Sequence, residues 1–137
     1  MDTAPALPTA PFARPSAILR AEAAALLAAN LLLYNYLFPA AWGWFALWFF
    51  VPDLSLIPFA LPAKRLATTV YNVSHTYALP VLLGFASIYF HWIRTEQFAC
   101  IWIAHISFDR LLGYGLKYPQ SFKLTHIQRS ASIGVEG

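Results

Sequence analysis

The stretch FACIWIAHISFDRLLGYGLKYPQSFKLTH, Phe98 to His126, decides how the chain is read. Its first part is an apolar run, rich in Phe, Ile, Trp and Ala, that carries two polar groups four residues apart, His105 and Asp109. On a helix that spacing stacks them one turn apart on one face. A titratable side chain in such a run is costly in lipid and marks a candidate functional site. Gly113 and Gly115 then end the helix, and Pro119 lies beyond it. The tail from Lys117 onward is polar and basic.

Composition places this run in a membrane protein. The 137 residues allow one domain. Apolar residues make up 59% and charged residues 11%, with a mean hydropathy of +0.55; soluble domains average roughly 45–50% and about 25%. Aromatics reach 17% and gather near the ends of the apolar blocks, as at a bilayer interface. The net charge of +3 forms no patch, which argues against a nucleic-acid partner and leaves membrane lipid. Cys100 is the single cysteine, so an internal disulfide and a cysteine zinc site are excluded. Its apolar surroundings read as those of a small hydrophobe, not a nucleophile.

Read in order, the chain predicts an all-α integral membrane bundle of four transmembrane helices. Residues 1–15 hold four prolines and form a disordered or extended tail. The transmembrane domain is 16–116, and 117–137 is a cytoplasmic basic tail. Span one runs from Ser16 to Phe38 and is rich in Ala and Leu, which permits close helix contact. Span two, Trp42 to Leu61, is kinked by Pro52, Pro58 and Pro62. Asp53 follows Pro52 directly. Span three, Leu66 to Trp92, carries Asn72 and His75 early and is kinked at Pro80. A polar turn, Arg94 to Gln97, leads into span four, Phe98 to Leu112. His91 reads as an interfacial residue.

Cation placement predicts the orientation. With both termini cytoplasmic, Arg14, Arg20, Lys64, Arg65, Arg110, Lys117, Lys123 and Arg129 lie inside and Arg94 alone lies outside. That asymmetry needs an even number of spans. Glu22, Asp53, Asn72, His75, His105 and Asp109 then all fall within roughly 5–12 Å of the cytoplasmic boundary, at about 1.5 Å of rise per residue. Facing each other inside the bundle would spare each of them the lipid.

Such a layer supports several chemistries. His75, His105, Asp109 and Asp53 make a plausible set of ligands for Zn, Mn or Fe, and a metal there would activate water in a dry site. The same groups could serve as acid and base. Two histidines could also ligate haem, but the carboxylates then have no task. The alternatives are a structural polar layer that fixes packing in a non-catalytic membrane subunit, and a ligand or transport pathway, which with four spans would need an oligomer. Arg110 either snorkels to the cytoplasmic face or pairs with an acid. Gly113–Tyr114–Gly115 is not a potassium filter: Lys117 follows at once and no pore helix precedes it. His126 is a surface residue of the tail or a ligand on a lid made by Gly113 to His126.

Three motifs carry a resemblance: PDLS (Pro52 to Ser55), YNVSHTYALP (Tyr71 to Pro80) and AHISFDRLLGYGLKYPQSFKLTHI (Ala104 to Ile127). They are similar to an uncharacterised bacterial family of small multi-pass membrane proteins, carried as a domain of unknown function. The resemblance spans about Arg20 to Ile127. It implies that Asp53, Asn72, His75, His105, Asp109, Arg110, Tyr114, Lys117, Tyr118, Pro119 and His126 occupy signature positions. Gln128, where the family has Gly, is a departure. No catalytic role comes with the resemblance.

Overall fold

The computed structural model describes residues 14–118 and 121–125; the N-terminal tail and His126 lie outside them. The described residues hold five α-helices and one 3-10 helix: α1 (Pro15–Leu37), α2 (Trp42–Trp48), a 3-10 segment (Val51–Ala60), α3 (Lys64–Ser74), α4 (Ala78–Phe90) and α5 (Ile93–Leu111). A short antiparallel hairpin follows, β1 (Lys117–Tyr118) with β2 (Ser121–Thr125). The sequence reading gave this tail no strands. β1 lies against α3, so the chain after α5 turns back toward the bundle.

α5 is the central element. It packs mainly on α1 and α4, and it buries Gln97, Ala99, Ile101, Ala104, His105, Ile106 and Ser107. α1 runs antiparallel to it. Asn30 donates its side-chain amide to the Cys100 carbonyl at 2.8 Å, and Arg20 Nε donates to the Leu111 carbonyl at 2.8 Å. α4 approaches through Gly84, where an added Cβ would sit 3.6 Å from that of Ala99. Tyr34, fully buried, donates its hydroxyl to the Ala41 carbonyl and pins the turn between α1 and α2. The outward faces are apolar: Leu32, Leu47, Leu82 and Phe85 are all exposed. Interior packing of small residues beneath an apolar exterior suits a bundle in lipid.

Among the described residues, two segments are long and apolar enough to cross a membrane, Pro15–Leu37 and Trp42–Ala60. A third appears if α3 and α4, bent by 46°, count as one span. α5 does not join them, because Arg94, Glu96, Asp109 and Arg110 crowd its two end turns.

Several expected boundaries move. The stretch read as a proline-kinked span two is α-helical only to Trp48, then 3-10 through Pro52 and Pro58. Span three breaks at His75–Tyr77, one turn N-terminal to Pro80. Pro80 sits in the first turn of α4, where a missing N–H costs nothing. The turn before α5 is His91–Trp92, with His91 in the left-handed region at φ 59°. Arg94 to Gln97 are already helical: Arg94 donates to the Gln97 side chain at 3.1 Å and lies 4.9 Å over Trp44.

α5 ends in a Schellman motif. Gly113 N–H donates to the Arg110 carbonyl at 3.1 Å, and Tyr114 N–H to the Asp109 carbonyl at 2.8 Å. Gly113 holds φ +92°, which a Cβ would strain. Gly113→Ala is expected to destabilise the protein by about 1 kcal/mol, measured by unfolding in detergent; an unchanged stability would show that this cap does not hold the end of α5.

Candidate metal centre

The site is built on a broken helix. α3 stops after Ser74, and His75 caps it with φ −107°, ψ 17°. A helix end in a packed interior exposes carbonyls that need donors. Here α5 and the break itself supply them. Trp102 Nε1 donates to the Ser74 carbonyl at 2.6 Å, and the guanidinium of Arg110 makes a long 3.5 Å contact to the His75 carbonyl while lying 4.5 Å over the Tyr77 ring. His75 N–H donates to the Tyr71 carbonyl at 2.9 Å. Tyr77 and Ser107 share a hydroxyl–hydroxyl bond at 3.1 Å. The break is therefore stitched to α5 at the level of His105.

That stitching brings four groups together. His75 Nε2 lies 3.3 Å from Asp109 Oδ2, 3.7 Å from Asp53 Oδ1 and 3.4 Å from His105 Nε2. His105 Nε2 lies 3.2 Å from Asp53 Oδ1 and 3.3 Å from Asp109 Oδ2. All four atoms fall within 4.8 Å of one another. The imidazoles are buried, while the side chains of Asp109 and Asp53 are 17% and 37% exposed, so the cluster opens on its carboxylate side.

Each ring is oriented from behind. His75 stacks on Tyr71 at 3.9 Å, and its Nδ1 lies 3.0 Å from the Tyr71 carbonyl and 2.9 Å from Ser74 Oγ. Donation from Nδ1–H to that carbonyl puts the Nε2 lone pair toward the cluster, the usual support for a metal-ligating histidine. His105 is held edge-on by Phe49, with ring centres 5.3 Å apart. Its Nδ1 is buried and has no hydrogen-bond partner among the described residues. Asp53 enters from the 3-10 segment. There Asp53 N–H donates to the Phe50 carbonyl, and Ser55 Oγ–H donates to the Pro52 carbonyl at 2.7 Å.

The four groups could hold a metal ion. Without one, each imidazole N–H can donate to a carboxylate oxygen, His75 to Asp109 at 3.3 Å and His105 to Asp53 at 3.2 Å. Metal–ligand bonds of 2.0–2.1 Å in a tetrahedron separate the ligand atoms by about 3.3–3.4 Å. Five of the six separations here lie between 3.2 and 3.7 Å, and the sixth, between the two carboxylate oxygens, is bounded by 4.8 Å. The haem reading does not survive. Two imidazole nitrogens across a haem iron would stand about 4 Å apart, and here carboxylates fill the space beside them.

Of the six residues that depth placed in one layer, the structure gathers Asp53, His75, His105 and Asp109. Glu22 is exposed on α1, one residue from buried Ala23, and faces away. Asn72 is half-buried on α3, one turn before His75. Trp102, Tyr71, Ser74 and Phe49, which orient the histidines or seal the break, were missed. The spacing of Trp102 and His105, three residues apart on one face, was the available signal. A hollow of about 700 Å³ lined by Trp44, Arg94 and Gln97 shares no residue with the cluster.

The chain matches the domain of unknown function DUF4260 over residues 16–130. It belongs to that family. Comparison with curated proteins and with solved structures gave no match. The matched region contains all four clustered residues, so the geometry must speak for the chemistry.

Trp102→Phe keeps the ring but removes the donor to Ser74. It is expected to cost about 1–3 kcal/mol through the stranded carbonyl, read by unfolding in detergent; a variant as stable as wild type would show that the break does not depend on this bond.

Proposed function

We propose that this DUF4260 protein is a multi-pass membrane protein built around a divalent-metal centre, held by His75, His105, Asp109 and Asp53 in the cytoplasmic half of the bundle. The convergence of four ligand atoms from three segments within 4.8 Å of one another carries this reading. Zinc, Mn and Fe all suit a set of two imidazoles and two carboxylates, and zinc is the ion tested first. Two neutral imidazoles and two carboxylates balance the charge of a divalent ion, which lowers the cost of placing it in a low-dielectric interior.

The membrane reading takes α3 and α4 as one broken span and α5 as the fourth. Both termini then face the cytoplasm, in keeping with the eight cations on that side against Arg94 on the other. The break at His75 parallels a general device of membrane proteins, in which irregular backbone at depth is tolerated where it lines a functional cavity. The ion would polarise a bound oxygen or activate water there, with the carboxylates as acid–base partners.

Elemental analysis of the purified full chain should find one zinc per chain. His75→Ala and His105→Ala should each lower zinc occupancy at least about tenfold. Wild-type protein without stoichiometric metal, after zinc loading and buffer exchange, would contradict the proposal. For the orientation, reporter fusions should place the C-terminus and the Ala63–Lys64 junction in the cytoplasm and the His91–Trp92 turn outside. A reporter at His91–Trp92 that reads as cytoplasmic would contradict it.

A further inference from the structure

The four donors are not equivalent. His75 Nε2, His105 Nε2 and Asp109 Oδ2 form a nearly equilateral triangle with sides of 3.4, 3.3 and 3.3 Å. All three sit on the assembly of α3, its break and α5. That assembly is fastened by Trp102 at the Ser74 carbonyl and by the Schellman cap behind Asp109.

Asp53 stands apart in three respects. It is off-centre, 3.2 Å from one imidazole nitrogen and 3.7 Å from the other. Its side chain is 37% exposed, the most accessible of the four. It is carried by ten residues of 3-10 helix that lack backbone donors at Pro52 and Pro58. A 3-10 stretch of that length is uncommon and often marks a hinge.

We infer that His75, His105 and Asp109 are the permanent ligands, and that Asp53 holds the fourth position exchangeably, yielding it to an oxygen donor: water at rest, a carbonyl, carboxylate or phosphoryl oxygen of a substrate in use. This inference rests on the metal-centre reading above and sharpens it. Closed sites with four permanent protein ligands are structural, whereas three protein ligands plus an exchangeable position are the mark of catalytic zinc. Two histidines and one carboxylate are a set that leaves positions free. The displaced Asp53 carboxylate stays beside the ion, placed to accept a proton from a bound water. The exposed side of the cluster is the carboxylate side, so a ligand arrives where Asp53 can swing away.

The test uses cobalt(II) as a visible reporter in the full chain, loaded in detergent, with acetohydroxamate as the oxygen-donor probe. The wild type should bind one cobalt, and its visible spectrum should shift saturably with acetohydroxamate. Asp53→Asn should keep one cobalt with affinity within about tenfold of wild type, whereas Asp109→Asn should lose more than about 100-fold. Two results overturn the inference: loss of cobalt from Asp53→Asn as severe as from Asp109→Asn, or a wild-type spectrum indifferent to saturating hydroxamate. Failure of the wild type to bind cobalt or zinc at all is a different outcome, and removes the metal centre itself along with the inference.

Discussion

The structure depends on one interruption, the end of α3 at Ser74. An α-helix running straight through Tyr77 would keep the Ser74 and His75 carbonyls for its own hydrogen bonds. Stopping it leaves polar backbone inside an apolar bundle, a state that persists only if something answers it. Trp102 and Arg110 answer it from α5, and the His75 ring uses the Tyr71 carbonyl. The same contacts that satisfy the break aim the His75 imidazole at His105 and Asp109. Packing and chemistry are thus solved by one set of hydrogen bonds.

α5 can serve as the anchor because it is buried along its length and fixed at both ends. Below it, the left-handed His91 reverses the chain from α4. Above it, Gly113 closes the cap that holds the Asp109 carbonyl. Asn30 and Arg20 bind its backbone to α1. Its end turns carry Arg94, Glu96, Asp109 and Arg110, and those charges make it less apolar than the other long segments. A helix that carries a site pays in hydropathy.

Much of this was legible in the residues. The pair His105 and Asp109 needed only a helix, and α5 is one. His75 and Asp53 needed a depth argument across separate segments, which works because rise per residue is fixed. Depth gives height but not direction around the axis, and Glu22 shows the difference. It lies at the right level, with Arg20 bonded to Leu111 nearby, yet a rotation of about 100° per residue points it outward. The break falls where Pro80 requires it, since in a continuous helix the proline ring would clash with the Thr76 carbonyl. The donors that satisfy the break come from α5, about thirty residues on, and no local pattern encodes them.

X-ray absorption at the zinc edge of the purified, zinc-loaded wild-type protein tests the central claim most directly. The account predicts a first shell of nitrogen and oxygen donors at about 2.0–2.2 Å with no sulfur, and outer-shell scattering from two imidazole rings. A spectrum of hydrated zinc without imidazole scattering would mean that Asp53, His75, His105 and Asp109 meet without a metal to hold.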